Sequence, residues 1–277
     1  MAKIIAAYAA SHAPLVARDW HLLPMAAKTR LSAAYRELGR LMTEAKPDVI
    51  VEIAPDHWSN FFINNLPNVC IGVGEAHDGP PEPFLRDFPH NPMLGAPDLA
   101  MHILTTALDN DFEPSVSHHM KLDHGFCIPL MRMELTQLPR IVPIVINSLE
   151  VPMPSLNRCL AWGRLIRKAV DSYPDNLRIA ILTTGGLSHS IGEPTMGMID
   201  ENFDHECIKA FERGSEASLL SFLESNLAKA GNGAQEVRNW LVAHGAAEAS
   251  GFRLVDYFAV PEVYVGCGFA EWKIAQS

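Results

Sequence analysis

The chain has 277 residues, is 48% hydrophobic and 19% charged, and carries a formal net charge of −10. A soluble composition of this length can bury one large α/β core or two small ones. The acidic balance disfavours nucleic acid, which rewards basic patches, and leaves any hold on an anionic substrate to local groups. No apolar run approaches the roughly 20 residues that a membrane span needs. The five cysteines, Cys70, Cys127, Cys159, Cys207 and Cys267, are odd in number, widely scattered and without a CxxC pair. Neither a zinc ribbon nor a thioredoxin-type motif fits, and reduced, mostly buried thiols are expected.

In chain order, the opening MAKIIAAYAASHAP has one Lys before a short apolar run. It reads as a buried first strand over 3–8 rather than a signal peptide, so a cytoplasmic location is expected. Residues 26–45 predict an amphipathic helix, because Leu31, Ala34, Tyr35, Leu38, Leu41 and Met42 recur at three- and four-residue steps. Pro47 stops it, and PDVIVEIAP follows as a strand buried on both faces. Residues 68–73 form another short strand, and 75–96 is a Pro-, Gly- and charge-rich loop of the length seen in lids and subunit contacts. A helix over 97–109, a polar turn over 118–125 and the apolar stretch FCIPLMRMEL come next. Then follow a buried strand at 140–147, an amphipathic helix at 154–172 and a buried strand at 177–186. Helices near 198–213, 215–229 and 233–247 precede closing strands at 252–257 and 262–265. This alternation, with no repeat and no linker, predicts an α/β fold: one domain over 1–277 with a mixed sheet sandwiched by helices.

Three buried strands end alike, at Ser11-His12, Asp56-His57 and Ser188-His189. In α/β sheets ligands sit beyond the carboxyl ends of the strands, so three histidines from distant parts of the chain converge there. Strand endings alone do not say which of them bind a metal. Glu236 enters a helix and shares a face with Trp240 four residues on, which puts it near the core edge. By spacing alone it is more usually a surface residue that suits a helix N-terminus. Two histidines and one carboxylate on one face of an ion are the ligand set of non-haem Fe(II) oxygenases, leaving three positions for a chelating diol and O2.

Five motifs make this specific: Ser11-His12-Ala13-Pro14; Asp56-His57 followed by Asn60-Phe61-Phe62; Asp123-His124-Gly125-Phe126; Gly185-Gly186-Leu187-Ser188-His189; and Glu236-x-x-x-Trp240. In this order and spacing the chain, from residue 11 to about 270, resembles the class III extradiol ring-cleavage dioxygenases. That is the family of the protocatechuate 4,5-dioxygenase catalytic subunit and of 2,3-dihydroxyphenylpropionate dioxygenase. The resemblance implies an Fe(II) site of His12, His57 and Glu236, with His189 as acid/base and His124 as a second active-site histidine that stabilises developing charge. It implies an aromatic diol such as protocatechuate or gallate, with O2, as substrates. It also implies either self-association or pairing with a small helical subunit. Trp58 stands where relatives often carry Tyr, and His118 and His119 match no ligand of the family.

Other residues are read more plainly. Asp56 and Asp123 are turn residues with a secondary option as partners of the neighbouring histidines. His21, His77, His90, His102, His205 and His244 are expected on the surface or on helix faces, and Cys127 as a small buried hydrophobe. Gly185-Gly186 lacks the spacing and the following Lys of a nucleotide loop. Lys121, Arg86 and Ser148 are the groups available to hold a substrate carboxylate. The competing functions are a zinc-dependent hydrolase on the same His/His/Glu set and a 2-aminophenol-type ring-cleavage dioxygenase.

Overall fold

The structure is a computed structural model that describes residues 1–213, 215–248 and 251–274. Its strands are β1 (Lys3–Ala10), β2 (Val49–Ala54), β3 (Val69–Gly72), β4 (Ala76–His77), β5 (Met93–Leu94), β6 (Ser115–Ser117), β7 (Arg140–Ile146), β8 (Arg178–Thr184), β9 (Phe252–Val260) and β10 (Val265–Trp272). Its helices are α1 (Leu15–Arg18), α2 (Met25–Ala45), α3 (Pro97–Leu108), α4 (His124–Arg132), α5 (Leu156–Ser172), α6 (Glu201–Glu212), α7 (Glu216–Asn226) and α8 (Val237–Ala246). Eight strands form one mixed sheet in the order β6-β3-β7-β2-β8-β1-β10-β9, and β4 pairs with β5 separately. The central pairs β7/β2, β2/β8 and β8/β1 are parallel. Four carboxyl ends therefore open on the same edge.

The central strands are continuous apolar runs because both faces are covered. Val49, Val51 and Ile53 face the core built with α3, α5, α6, α7 and α8; Ile50 and Ala54 face the core built with α2 and α4. Glu52 shares the second face and is fully buried. The ends of the helices follow from local chemistry. Lys46 takes a left-handed conformation (φ 48°) before Pro47 and stops α2. Ser155, Asp200 and Ser215 cap α5, α6 and α7 by accepting a backbone N–H, each worth about 1 kcal/mol.

Most of the expected elements are present, with several corrections. The closing strand expected at 262–265 lies at Val265–Trp272, because Pro261 opens a short 3-10 turn and Tyr264 adopts φ 63°. The turn thus occupies the place given to the strand. The segment FCIPLMRMEL is largely helix α4, which Asp123 caps by accepting the Gly125 amide. The loop at 75–96 contains the β4–β5 pair and a 3-10 turn at Pro83–Leu85. His77 and His244 are buried rather than on the surface. His77 lies under Gly72 and Pro143, where a Cβ on Gly72 would come within 2.9 Å of its ring. His244 accepts the Trp272 indole N–H on the inner face of α8. All five cysteines are free and buried. Among the described residues no helix is long and apolar enough to cross a membrane.

Candidate active site

Three of the four central strands, β1, β2 and β8, each deliver one histidine to the common edge. His12 follows β1, and its Nδ1 lies 3.0 Å from Thr184 Oγ1 at the end of β8. With that nitrogen engaged, Nε2 faces inward, 3.3 Å from Glu236 Oε1. His57 follows β2; its amide donates to Asp123 Oδ2 at 2.7 Å, and the same carboxylate oxygen lies 3.3 Å from its Nδ1. Its Nε2 is 3.5 Å from the same Glu236 Oε1. Asp123 thus acts as helix cap and as carboxylate partner of a histidine, the arrangement that fixes a ring and raises its basicity. Asp56, in contrast, is a turn residue: it accepts the amides of Ser59, Asn60 and Phe61 and the Asn60 side-chain N–H.

Glu236 ends a 3-10 turn (Gly233–Glu236) and leads into α8. It is 2% exposed, so it is not the surface residue that spacing left open. Three contacts seat it on the end of β8: Gly186 N–H donates to Glu236 Oε2 at 2.7 Å, Trp240 Nε1–H to the Gly185 carbonyl at 3.0 Å, and Asn239 to the Thr184 carbonyl at 2.8 Å. Gly185, at φ 115°, is required here, because a Cβ would lie 2.6 Å from Glu236 Oε2.

His189 donates Nδ1–H to the Leu187 carbonyl at 2.9 Å, and a carbonyl can only accept. The neutral ring therefore carries its free lone pair on Nε2, which lies 3.8 Å from Glu236 Oε2. The glycine loop before α8 packs on this ring; a Cβ at Gly233 would stand 2.0 Å from Nε2. His124 Nδ1 lies 2.7 Å from Glu82 Oε1, and its ring centroid is 3.9 Å from that of His57.

The electrostatics fit a cation site. Burial opposes charge on Glu236, but His12 and His189 hold its carboxyl well below the usual range. Burial likewise lowers His12. His57 is pushed up to about 10, because the Asp123 and Glu236 carboxylates outweigh its burial. Two donors each about 2.1 Å from an ion stand roughly 3.0–3.4 Å apart, close to the separations of both imidazoles from Glu236 Oε1. The ring nitrogens of His12, His57 and His124 also lie within 4.8 Å of one another, as do donor atoms of Glu82, Asp123 and His124. The residues present thus fit a metal, with His124 as a fourth nitrogen beside the three donors expected.

All five expected site residues meet at this edge. Lys121 is exposed, and its backbone joins Asn60 on the turn after β2. Arg86 is exposed, and Ser148 is buried with an unpartnered hydroxyl beyond β7. His119 pairs with Asp78 at the surface. Sequence reasoning missed Glu82, Thr184 and Asp204. Glu82 stands between prolines with no period to mark it, and Thr184 carries only the signal of its place at a strand end.

Residues 6–266 match the model for the catalytic LigB subunit of aromatic ring-opening dioxygenase. The chain belongs to this family. It is accordingly a ring-cleaving dioxygenase of the extradiol type that the five motifs imply. Over 273 residues it is 29% identical to a 2,3-dihydroxyphenylpropionate/2,3-dihydroxicinnamic acid 1,2-dioxygenase of Paraburkholderia phymatum, covering 80% of this chain and 83% of that one. Over 181 residues it is 28% identical to a gallate dioxygenase of Pseudomonas putida, covering 64% of this chain and 53% of that one. An uncharacterised protein of Escherichia coli K12 shares the fold, with a TM-score of 0.62 at 16% identity over 96% of this chain and 99% of that one.

Proposed function

We propose that this chain is a cytoplasmic, Fe(II)-dependent extradiol dioxygenase that opens a catechol-like ring, such as protocatechuate, gallate or a related diol, with O2. One observation carries the reading: His12 Nε2 and His57 Nε2 both face Glu236 Oε1, at 3.3 and 3.5 Å, with His189 Nε2 beside the other carboxylate oxygen. The names of the relatives support a dihydroxylated ring as substrate.

His12, His57 and Glu236 hold the iron in this reading. When bound, Fe(II) supplies the meeting point of diol and O2 and the route for electrons between them. Thr184 and Asp123 hold the two imidazoles, and the Gly186 amide holds Glu236. His189 takes a diol proton on Nε2 and returns it as an acid when the O–O bond breaks, a role worth about 10²–10⁴ in rate. His124, held through Nδ1, presents Nε2 to the oxygens that gain charge. The whole of 1–277 acts as one catalytic domain, since β1 and β10, near the two ends, pair in one sheet. The enzyme works as a homo-oligomer or with a small helical subunit. Trp58, Phe62, Ile63, Ile191 and Met196, exposed on loops after β2 and β8, favour such a covering contact, and light scattering decides its size.

The test is protein prepared without oxygen and loaded with Fe(II), offered catechol, protocatechuate, gallate, aminophenols and dihydroxyphenylpropionate. One O2 consumed per ring and a yellow semialdehyde-type product are expected. No oxidation across the panel, or retained zinc with ester or amide hydrolysis, defeats the reading. H12A, H57A and E236A should lose the metal, whereas H124A and H189A should keep it and lose most turnover.

A further inference from the structure

Asp204, in α6, is fully buried, and its carboxylate collects three donors. Oδ1 accepts the Ser188 amide at 2.8 Å; Oδ2 accepts the Ser188 hydroxyl at 2.8 Å and the Tyr257 hydroxyl at 2.7 Å. The Ser188 oxygen itself accepts the Asp200 amide at 2.8 Å, which directs its proton to Asp204. The same segment is tied to β10: Leu187 N–H donates to the Gly266 carbonyl at 2.6 Å, and Gly266 N–H to the Ser188 carbonyl at 3.0 Å. Gly266 leaves room for the acid, since a Cβ there would lie 2.0 Å from Asp204 Oδ2. The Leu187 carbonyl held in this way receives His189 Nδ1–H.

We propose that Asp204 is the positioning residue for His189, fixing the Leu187-Ser188-His189 segment so that His189 Nε2 stays aimed at the reacting diol. This rests on the acid/base reading of His189. Asp204 touches neither the diol nor the ion; it acts through Ser188. A carboxylate accepts all three donors, whereas protonation turns one of its oxygens into a donor and weakens acceptance there, so an anchor is loosened. Burial, only partly offset by the Tyr257 and Ser188 hydrogen bonds, pushes Asp204 up to about 6. The other titratable and charged groups around it are Asp200 and Cys207 from α6, Tyr257 from β9 and Cys267 from β10. Glu201 and the His205 ring face Tyr257. Burial raises Cys207, Cys267 and Tyr257 far above neutrality, so none of these three titrates between pH 5 and 8. Positioning of His189 therefore declines as pH falls through about 6.

The test compares metal-loaded wild type, Asp204→Asn, Tyr257→Phe and His189→Ala by kcat and KM against pH, with carbon-13 NMR of carboxyl-labelled aspartate. The Asp204 resonance is identified by its loss in D204N. Removing the Tyr257 donor disfavours the charged carboxylate. The Asp204 resonance, titrating near pH 6 in wild type, and the acid limb of kcat should therefore move up together in Y257F, by half a unit or more. D204N should lose at least tenfold in kcat with KM and metal content within threefold of wild type. Wild-type kcat in D204N, or an unmoved acid limb in Y257F, overturns the positioning role; should D204N not fold, Y257F alone decides. Wild-type turnover in H189A overturns instead the acid/base assignment beneath it, so the two failures read differently.

Discussion

Glu82 Oε1 lies 2.7 Å from His124 Nδ1 and 3.0 Å from the His124 backbone nitrogen, so one carboxylate oxygen from the 75–96 loop holds both the ring and the start of α4. That long loop is therefore part of the active-site wall. Glu82→Ala frees the ring to rotate, whereas Glu82→Gln retains an acceptor. We expect E82A to lose about tenfold or more in kcat with metal content unchanged, and E82Q to lose less. Wild-type kcat for E82A under saturating diol would refute it.

Asp123 serves His57 and also caps α4. Asp123→Asn removes the charge that supports the imidazole, and its amide nitrogen cannot accept, so it keeps either the Gly125 cap or the His57 amide bond but not both. Metal affinity should fall about 10–100-fold, with a lowered melting temperature. Titration of the metal-free protein with Fe(II) under argon measures this; equal affinity would show that Asp123 is only a cap.

Gly233 packs on the His189 ring with no room for a Cβ, which would stand 2.0 Å from Nε2. Gly233→Ala must turn the ring away from Glu236. Misplacement of about 1 Å at a reacting group costs on the order of 10²-fold in rate, and a loss of that size is expected with metal retained. Turnover within twofold of wild type would mean that the ring is not where proton transfer happens.

Glu52 is buried between the neighbouring strands, and neither oxygen has a hydrogen-bond partner among the described residues. Burial first, and Asp123 second, raise its pKa well above the usual value. The native state thus favours the protonated form, so this group's contribution to stability is full below its unfolded pKa and is lost as pH rises through the folded one. Glu52→Gln removes that dependence. The melting temperature of E52Q relative to wild type should be higher at pH 8 than at pH 5, by about 2 °C or more for each kcal/mol involved. An equal difference at both pH values would rule out a titrating Glu52.

The sequence made β1, β2 and β8 legible because strands covered on both faces read as unbroken apolar runs, and each run stops at a polar residue followed by a histidine or by a glycine pair leading to one. The convergence of His12, His57 and His189 followed from parallel pairing alone. Glu236 was not legible in this way; its inward seat depends on Gly185 and Gly186, from another segment, which bond Trp240 and Glu236 respectively. Asp204 lies in ENFDHE on the face of α6 that Phe203, Cys207, Ile208 and Phe211 mark as buried, but the reason a carboxylate sits there, Ser188 and Tyr257, comes from other segments. His77 was misplaced, and the burial of His244 on its helix face went unread, because a single histidine carries no hydropathy signal strong enough to mark burial. The hairpin at Pro261 displaced the last strand because Gly266 and Gly268 dilute a run that is buried throughout.

The pairing of β1 with β8 and β10 also has a consequence for biosynthesis. Lys3–Ala10 is made before the other strands of the sheet, yet one of its neighbours is Val265–Trp272, roughly 250 residues later. At about 5–20 residues per second, the nascent strand waits roughly 10–50 s for that partner. Until β8 is made the apolar strand has two unmatched edges, and from then until β10 it has one, so the segment that delivers His12 is also where aggregation and chaperone capture should act on the emerging chain.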